Sequence, residues 1–225
     1  MDKKPKKLFN GIFLIYKKLA TKNFVLGQRV YGEDLVQLSG EEYRFWNPNR
    51  SKIAAAIRNG LKKMPIKKGS TVLYLGCAEG TTVSHLSDIV EEDGVIFGID
   101  ISAKVMSKFL YLCNNRKNLV PILADAANPL TYKKDIEGVK IDVLFQDISQ
   151  KNQVEIFLKN ARMYLRKRST CLLSLKARSI SSVEDPKAIF KKEIEKLVKE
   201  LNIKQVISLS PFEKAHVLIV CERKW

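Results

Sequence analysis

The chain has 225 residues, which suits one α/β domain with a small extension and allows a sizeable buried core. Hydrophobic residues make up 45% of it, a share that excludes an intrinsically disordered protein. Lysine and arginine, 40 in all, outnumber the 24 acidic residues and give a formal net charge of +16, so nucleic acid is the first partner to consider. The alternative is a lysine-rich surface that serves solubility or heat adaptation.

The apolar stretch near the N-terminus is too short to span a bilayer, and no small-residue cleavage site follows it. We therefore expect no membrane association and a cytoplasmic location. The four cysteines are widely spaced and form no C-x-x-C pair, which argues against a zinc site or a disulfide framework. Three of them lie in apolar runs and are expected to be buried thiols.

Residues 1–50 are predicted to form a small β-rich region, in which Gly, Asn and Asp separate short runs of β-forming residues. These runs are 11–16, 23–25 and 35–38. After this region, Ile53, Ile57 and Leu61 recur at four-residue spacing, which predicts a helix. Residues 51–225 are predicted to form the main domain.

Strands and helices alternate from Thr71 onward. The apolar segments predicted as strands are 71–75, 95–99, 119–123, 141–146 and 170–175. Helical patterns lie near 82–90, 103–116 and 151–166. The strands are continuous apolar runs rather than alternating ones, as expected when helices cover both faces of a parallel sheet.

A charged helix around 186–201 is followed directly by two strand-like segments, 204–209 and 216–221. With no helix between them, these strands are predicted to pair as an antiparallel hairpin. The predicted fold class is therefore α/β: a Rossmann-like, mostly parallel seven-stranded sheet with an antiparallel C-terminal hairpin, plus the β-rich N-terminal region. That hairpin is typical of class I S-adenosylmethionine methyltransferases and distinguishes them from dehydrogenases.

The segment from Thr71 to Thr82 has the pattern of a strand, a glycine turn and the start of a helix. Gly76 permits a sharp turn, and Gly80 is predicted to let a ligand approach the backbone at the helix N-terminus. Thr81 and Thr82 offer hydroxyl and amide groups to a carboxylate there. A purely structural turn would have a similar sequence, so the loop alone is weak evidence.

Acidic residues at the ends of the next two predicted strands narrow the choice of cofactor. Asp100 lies about 20 residues beyond the glycine loop, where a carboxylate binds ribose hydroxyls. Asp125 and Ala126 end the third strand and are placed to meet an adenine edge. The loop has the pattern G-x-x-x-G rather than the G-x-G-x-x-G of dinucleotide sites, so S-adenosylmethionine is favoured over NAD.

Polar residues that could do chemistry follow the fourth and fifth predicted strands. Asp147 and Lys176 should converge there, since ligands bind outside the carboxyl ends of the strands in such sheets. His216 begins the last strand, and Lys52 follows Ser51, a plausible helix cap. Each of these residues also has a non-catalytic interpretation. Asp147 and Lys176 could be solvated strand ends, His216 a structural histidine and Lys52 a surface charge. His85, on the helix after the glycine loop, is predicted to be a packing residue rather than a base.

Nine stretches of the sequence resemble fibrillarin in its compact archaeal form, without a Gly-Arg-rich tail. They are Val30–Glu33 (VYGE), Tyr43–Pro48 (YRFWNP), Arg50–Ile57 (RSKIAAAI), Leu73–Gly76 (LYLG), Gly80–Asp88 (GTTVSHLSD), Ile122–Ala126 (ILADA), Gln146–Gln150 (QDISQ), Lys176–Ile180 (KARSI) and Leu209–His216 (LSPFEKAH). The resemblance runs from about residue 20 to the C-terminus.

The resemblance implies two sets of site residues. It implies a catalytic set around the transferred methyl group formed by Lys52, Asp147, Lys176 and His216. Together with the glycine loop it implies cofactor contacts at Gly76, Thr81, Thr82, Asp100, Ile101, Asp125, Ala126, Asp147, Ile148, Ser149 and Gln150. We hypothesise that Lys176, held by Asp147, is the base or stabilises the oxyanion, while Lys52 and His216 orient the nucleotide and Asp147.

The sequence departs from the family pattern at four positions. Cys77 and Glu79 replace small residues of the glycine loop, and Asp100 stands where the family usually has Glu. Ala215 replaces an Asp that commonly precedes the histidine. The last change removes a candidate for orienting His216.

The resemblance further implies guide-RNA-directed methyl transfer from S-adenosyl-L-methionine to the ribose 2′-hydroxyl of rRNA or tRNA. The implied partners are a box C/D guide RNA with its target, a Nop-domain scaffold protein and a kink-turn-binding protein of the ribosomal L7 type. The location would be cytoplasmic in an archaeal cell, or nucleolar in a eukaryote. The alternatives are a non-catalytic assembly subunit, or a stand-alone enzyme that methylates RNA or protein glutamine.

Overall fold

The computed structural model describes residues 4–225, and its N-terminal part is an antiparallel sheet of five strands in the order β1-β2-β3-β5-β4. The strands are β1 Lys6–Phe9, β2 Ile12–Ile15, β3 Lys18–Lys22, β4 Leu35–Leu38 and β5 Glu41–Phe45. The predicted β-rich region is thus confirmed. The boundary at residue 50 between this region and the main domain stays a prediction.

The predicted strand at 23–25 is wrong, because this segment leaves the sheet after β3 and attaches to other elements. Asn23 donates a side-chain hydrogen bond to Glu42 Oε1 (2.6 Å), and the amide of Phe24 donates to Asp88 Oδ1 (3.1 Å). Three strands, β1, β3 and β5, are not predicted by the pattern. Their lysines and glutamates obscure the alternation on which a strand prediction depends.

The first helix, α1, spans Lys52–Arg58 and ends before Leu61, although the four-residue spacing predicts that Leu61 lies on it. Gly60 adopts a φ of +93°, and the amide of Leu61 donates to the carbonyl of Ala56 at 2.9 Å. This is the closure that a left-handed glycine allows at the end of a helix. At the other end, Ser51 caps α1 by accepting a hydrogen bond from the amide of Ala54.

The main sheet has seven strands in the order β11-β12-β10-β9-β6-β7-β8. They are β6 Thr71–Leu75, β7 Val95–Asp100, β8 Leu119–Leu123, β9 Val143–Gln146, β10 Thr170–Lys176, β11 Leu201–Ser208 and β12 His216–Arg223. The neighbouring pairs β8–β7, β7–β6, β6–β9 and β9–β10 are parallel, and β12 runs antiparallel to both β10 and β11. The predicted parallel sheet with an antiparallel hairpin is therefore confirmed.

Five further helices connect and cover the strands. They are α2 Thr81–Val90, α3 Ala103–Asn115, α4 Gln153–Tyr164, α5 Ala177–Ile180 and α6 Pro186–Leu197. Tyr74 and Phe145 pack in one hydrophobic cluster with α1, α2 and α3, whereas Leu73 and Leu144 pack in another with α4 and α6. Because both faces of the sheet are buried, its strands have continuous apolar sequences. No helix within residues 4–225 is long and apolar enough to cross a membrane.

Buried charges fasten the N-terminal sheet to α2. Arg44, which is fully buried, has its Nε 2.9 Å from Glu33 Oε1 and its Nη1 3.6 Å from Asp88 Oδ2. The other oxygen of Asp88 lies 2.6 Å from Nη1 of Arg116, which is also fully buried. Charges in such surroundings are tolerated only when they are paired, so this cluster fixes the orientation of the N-terminal sheet.

His85 is part of the same cluster and is fully buried, in agreement with its interpretation as a packing residue. Thr21 donates its hydroxyl hydrogen to Asp88 at 2.6 Å, so His85 Nδ1 donates to the Thr21 oxygen at 2.7 Å. His85 Nε2 then accepts from the hydroxyl of Tyr31 at 2.7 Å, and the imidazole stacks on Trp46. Burial, together with the charges of Arg44 and Arg116, holds the pKa of His85 well below its usual range.

We expect Asp88→Ala to lower the free energy of unfolding by about 3–5 kcal/mol, because it removes the carboxylate that pairs with the buried guanidinium of Arg116 and one of the two that pair with Arg44. Urea denaturation followed by circular dichroism measures this change. The matched control is Glu41→Ala, which breaks the exposed Lys22–Glu41 pair and should cost less than about 1 kcal/mol. Equal losses in the two variants would contradict the role given to the buried cluster.

Candidate active site

A pocket of about 210 Å³ lies at the edge of the main sheet where β6, β7, β8 and β9 end. The residues that line it are Gly76, Ala78, Ile99, Asp100, Ile101, Ala124, Asp125, Ala126, Asp147, Ile148, Ser149 and Gln150. Nine of the eleven residues predicted to contact a cofactor are in this set. The two that are absent from it are Thr81 and Thr82.

The acidic residues of the pocket are oriented by backbone amides. Asp100 accepts hydrogen bonds from the amides of Ala78 (3.1 Å) and Ser102 (3.0 Å), and Asp125 accepts one from the amide of Ala127 (2.9 Å). A carboxylate offers about four acceptor positions, so each retains capacity for hydroxyl or amino groups of a ligand. These acceptors therefore fit the hydroxyl groups of a ribose and the amino group at an adenine edge.

The glycines of the loop are required by close packing. Gly76 has a φ of +82°, and a Cβ there would stand 2.5 Å from the carbonyl oxygen of Asp147. Gly80 has a φ of +102°, and its Cβ would stand 2.5 Å from Leu112 Cδ2. The space beside Gly80 that a Cβ would fill is occupied by Leu112 of α3. The approach of a ligand to the backbone of Gly80 stays a prediction. Gly76 brings the loop against the end of β9.

Thr82 lies outside the pocket because its hydroxyl is committed elsewhere. It is buried, and it donates to Ser51 Oγ at 3.1 Å. Ser51 caps α1, so this bond connects the start of α2 to the residue that precedes Lys52. Thr81 is half-buried at the first position of α2. A contact of either threonine with a cofactor stays a prediction.

The predicted catalytic residues come together beside this pocket from four separate elements. Lys52 is the first residue of α1, Asp147 follows β9, Lys176 ends β10 and His216 begins β12. Because β12 is antiparallel to β10, Lys176 and His216 are direct cross-strand partners. Such partners have Cβ atoms about 4.5–5.5 Å apart, which sets the two side chains next to each other.

Asp147 pairs with a different lysine from the one expected. Its Oδ2 lies 3.8 Å from the Nζ of Lys52, whereas Lys176 makes no ion pair within residues 4–225. The prediction that Asp147 holds Lys176 is therefore corrected. The main chain of Lys176 is fixed instead by Gln153, whose side chain accepts from its amide (2.9 Å) and donates to its carbonyl (3.0 Å).

Glu213 is a further member of the cluster, and no pattern in the sequence indicates it. Its Oε1 lies 3.1 Å from Lys52 Nζ, and its Oε2 lies 3.9 Å from His216 Nδ1. His216 Nδ1 is also 2.8 Å from the carbonyl of Lys214. Ala215, which replaces the acid common in the family, has a left-handed φ of +55°. Glu213 thus supplies a carboxylate beside the histidine from two residues upstream of the expected position.

Burial and neighbouring charges have opposite effects on the pKa values of Asp147 and Lys52. Burial raises the pKa of Asp147 above its usual value, while the charge of Lys52 opposes the rise. Burial alone would lower the pKa of Lys52, but Asp147 and Glu213 outweigh it and raise that pKa. Lys52 is therefore a charged ammonium at neutral pH, held between two carboxylates.

The order of the seven strands, with one of them reversed, is the fold of the S-adenosylmethionine-dependent methyltransferases. A methyltransferase of this class from Aquifex aeolicus has a TM-score of 0.53 with this chain over 70% of it and 84% of that chain. At 16% identity, this likeness concerns the fold alone.

The family of this chain is identified from relatives with much higher sequence identity. The Fibrillarin family profile matches residues 3–225, and this chain belongs to the fibrillarin family. A fibrillarin-like rRNA/tRNA 2′-O-methyltransferase from Methanococcus maripaludis is 45% identical over 96% of this chain and 95% of that protein.

Two solved structures extend the comparison. The crystal structure of Aeropyrum pernix fibrillarin with natively bound S-adenosyl-L-methionine has a TM-score of 0.85 and 43% identity, over 93% of this chain and 92% of that one. Fibrillarin from a fibrillarin/Nop5p complex has a TM-score of 0.89 and 38% identity, over 97% of this chain and 100% of that one.

We expect Glu213→Gln to lower the pKa of both Asp147 and Lys52, because the carboxylate of Glu213 raises both values. Carboxyl-carbon NMR titration of Asp147 in the free protein measures the first shift. The control is Glu222→Gln at the opposite end of β12, where the carboxylate pairs with Lys204. An Asp147 titration that stays the same in Glu213→Gln would contradict the charge coupling described here.

Proposed function

We propose that this chain transfers a methyl group from S-adenosyl-L-methionine to the ribose 2′-hydroxyl of rRNA or tRNA, as the catalytic subunit of a box C/D guide-RNA particle. One observation carries the proposal: Asp147 both lines the pocket and pairs with Lys52 of the reactive cluster. The site for the methyl donor and the groups that handle the acceptor hydroxyl therefore share one carboxylate. The names of the relatives agree with this reaction.

The residues of the pocket fit the cofactor by the chemistry of their donors and acceptors. Asp100 would accept from the ribose hydroxyls, and the segment at Asp125 and Ala126 would meet the adenine edge. Residues 147–150 and the backbone at Gly76 would hold the rest of the cofactor. When bound, the cofactor supplies a methyl group that its sulfonium has already activated.

The chain's own residues then have to align the acceptor hydroxyl and deal with its proton. Since His216 Nδ1 donates to the carbonyl of Lys214, Nε2 is the nitrogen whose lone pair, in the neutral imidazole, faces the acceptor hydroxyl. Lys176, directly across from His216, accepts the hydroxyl proton as an amine; in the alternative, Lys176 stabilises the oxyanion as an ammonium and His216 Nε2 accepts the proton. The charge of Lys52 favours the ionised form of the half-buried Asp147 carboxylate.

The choice of target nucleotide is assigned to base pairing with a guide RNA, because the sequence contains no recognisable RNA-recognition module. The proposed protein partners are a Nop-domain scaffold, supported by the relative in the fibrillarin/Nop5p complex, and a kink-turn-binding protein of the ribosomal L7 type. The net charge of +16 favours this RNA-rich environment. The proposed location is the cytoplasm of an archaeal cell, or the nucleolus in a eukaryote.

We expect Lys176→Ala to lower the single-turnover rate of methyl transfer at least about 100-fold, the scale of losing a group that handles a proton in the transition state. Binding of the cofactor, measured by calorimetry, should stay the same because Lys176 does not line the pocket. Lys187→Ala on the exposed side of α6 is the control and should retain full activity. A near-normal rate in Lys176→Ala would remove this lysine from the mechanism.

We expect label from S-adenosyl-L-methionine to reach a target RNA only in a particle that contains this chain, its scaffold, the kink-turn protein and a matching guide. An RNA with a 2′-deoxy sugar at the predicted nucleotide should remain unlabelled. Transfer that ignores the guide would indicate a stand-alone enzyme. Cofactor binding without any transfer would indicate an assembly subunit.

A further inference from the structure

A second concave surface lies next to the reactive cluster and is larger than the cofactor pocket. This groove has a volume of about 480 Å³ and lies between the β2–β3 turn, the segment that precedes β4, the segment that follows β5, and α1. Four cations border it: Lys17, Lys18, Arg50 and Arg58. All four are exposed at the surface, whereas the floor of the groove is apolar and includes Leu19, Trp46 and Phe212.

The arginines of the groove are held in place without being neutralised. Arg50 donates to the carbonyl of Tyr31 at 3.3 Å, with its guanidinium 4.9 Å from the centre of the Tyr31 ring. Arg58 donates to the carbonyl of Lys17 at 3.3 Å. Across residues 4–225, none of the four bordering cations forms an ion pair with a carboxylate. Their charge is therefore available to an anion from solution.

Acidic residues in the groove do not cancel this charge. Glu33 is buried and already paired with Arg44. Asp34 is exposed at the border and is the remaining acid among the lining residues. One carboxylate against four cations leaves the groove with an excess of positive charge.

The groove is continuous with the reactive cluster through two short pieces of chain. Arg50 precedes Lys52 by two residues, a separation of at most about 8 Å between Cα atoms. Phe212 on the floor is next to Glu213, which contacts Lys52. A strand of RNA that places a ribose at Lys176 and His216 has neighbouring nucleotides within reach of this surface.

The geometry points to a nucleotide-binding subsite: the groove holds the nucleotide of the target RNA adjacent to the methylated one, with its base on the apolar floor and its phosphate between Arg50 and Arg58. The assignment rests on the proposed function, since it takes target RNA as the ligand. The volume is in the range of small-ligand sites, and an apolar floor with a cationic border matches the two halves of a nucleotide.

A protein partner is a poorer match to the same surface. Arginine and aromatic residues are common both at protein interfaces and at sites that bind single-stranded nucleic acid, but protein interfaces are depleted in lysine. Here two lysines and two arginines surround a floor that is recessed between them. The continuity with the groups that handle the acceptor hydroxyl also favours the strand that carries this hydroxyl.

Photo-crosslinking in the assembled particle tests the subsite without depending on turnover. The probe is a target RNA with 4-thiouridine on either side of the acceptor nucleotide, and the crosslinked peptides are mapped by mass spectrometry. We expect crosslinks in residues 17–19 or 45–50, and their yield should fall roughly tenfold in the double variant Arg50→Gln/Arg58→Gln, which loses two phosphate contacts. Cofactor binding by calorimetry should be unchanged.

The matched control is Lys140→Gln/Lys167→Gln, which removes the same charge from exposed positions at the opposite edge of the sheet, before β9 and β10. Its crosslink yield should stay within about twofold of the parent, because only non-specific attraction is reduced. Crosslinks confined to other segments, or an equal loss in both double variants, would overturn the assignment.

Two further outcomes distinguish an RNA subsite from a protein interface and from a failure of the proposed function. If Arg50→Gln/Arg58→Gln weakens binding of the scaffold protein in a pull-down while the RNA crosslinks persist, the groove is a protein interface and the assignment is overturned. If the groove crosslinks appear in a particle that transfers no methyl group, the proposed function fails while the subsite for RNA stands.

Discussion

The polar groups of the site meet because every strand that carries one of them has its relevant end at the same edge of the sheet. Parallel strands from β6 to β9 deliver the loop glycines and three carboxylates as they end there. Strand β12 runs in the opposite direction, so it begins at this edge and its first residue, His216, lies there. His216 consequently faces Lys176 at the end of β10. Reversal of a single strand thus converts a nucleotide-binding edge into one with a paired lysine and histidine.

Lys52 depends on a different set of contacts, because it comes from outside the sheet. The buried carboxylate of Asp88 joins Arg44 of the N-terminal sheet to α2 and to Arg116. At the other end of α2, Thr82 is hydrogen-bonded to Ser51, the cap of α1. The N-terminal sheet, α2 and the first turn of α1 are therefore one connected unit. This unit brings the ammonium of Lys52 to Asp147, with which it pairs.

The pattern of apolar runs is sufficient to predict the main sheet, its reversed hairpin and the acids at the strand ends, since these follow from local periodicity and connection length. The contacts among side chains are not predictable in this way. Glu213 has no local signal, and its place beside Lys52 depends on how the chain turns before β12. The strands β3 and β5 carry charged residues that are paired or buried only in the folded state. The packing of α3 against Gly80 is likewise not indicated by the loop pattern.

The distribution of charge has a consequence for how RNA and the reactive groups coexist. A phosphate of the RNA that bound to Lys52 would hold the ribose out of position. Asp147 and Glu213 flank Lys52 and balance its charge, so a phosphate gains little by binding there. The exposed cations of the groove stand outside the cluster, at Arg50, two residues before Lys52, and across the groove from it. In the proposed arrangement, the cations of the groove attract the RNA backbone, and the residues of the cluster align the acceptor hydroxyl. Glu213, whose carboxylate contacts Lys52, follows Phe212 of the groove and so lies between the two sets of residues.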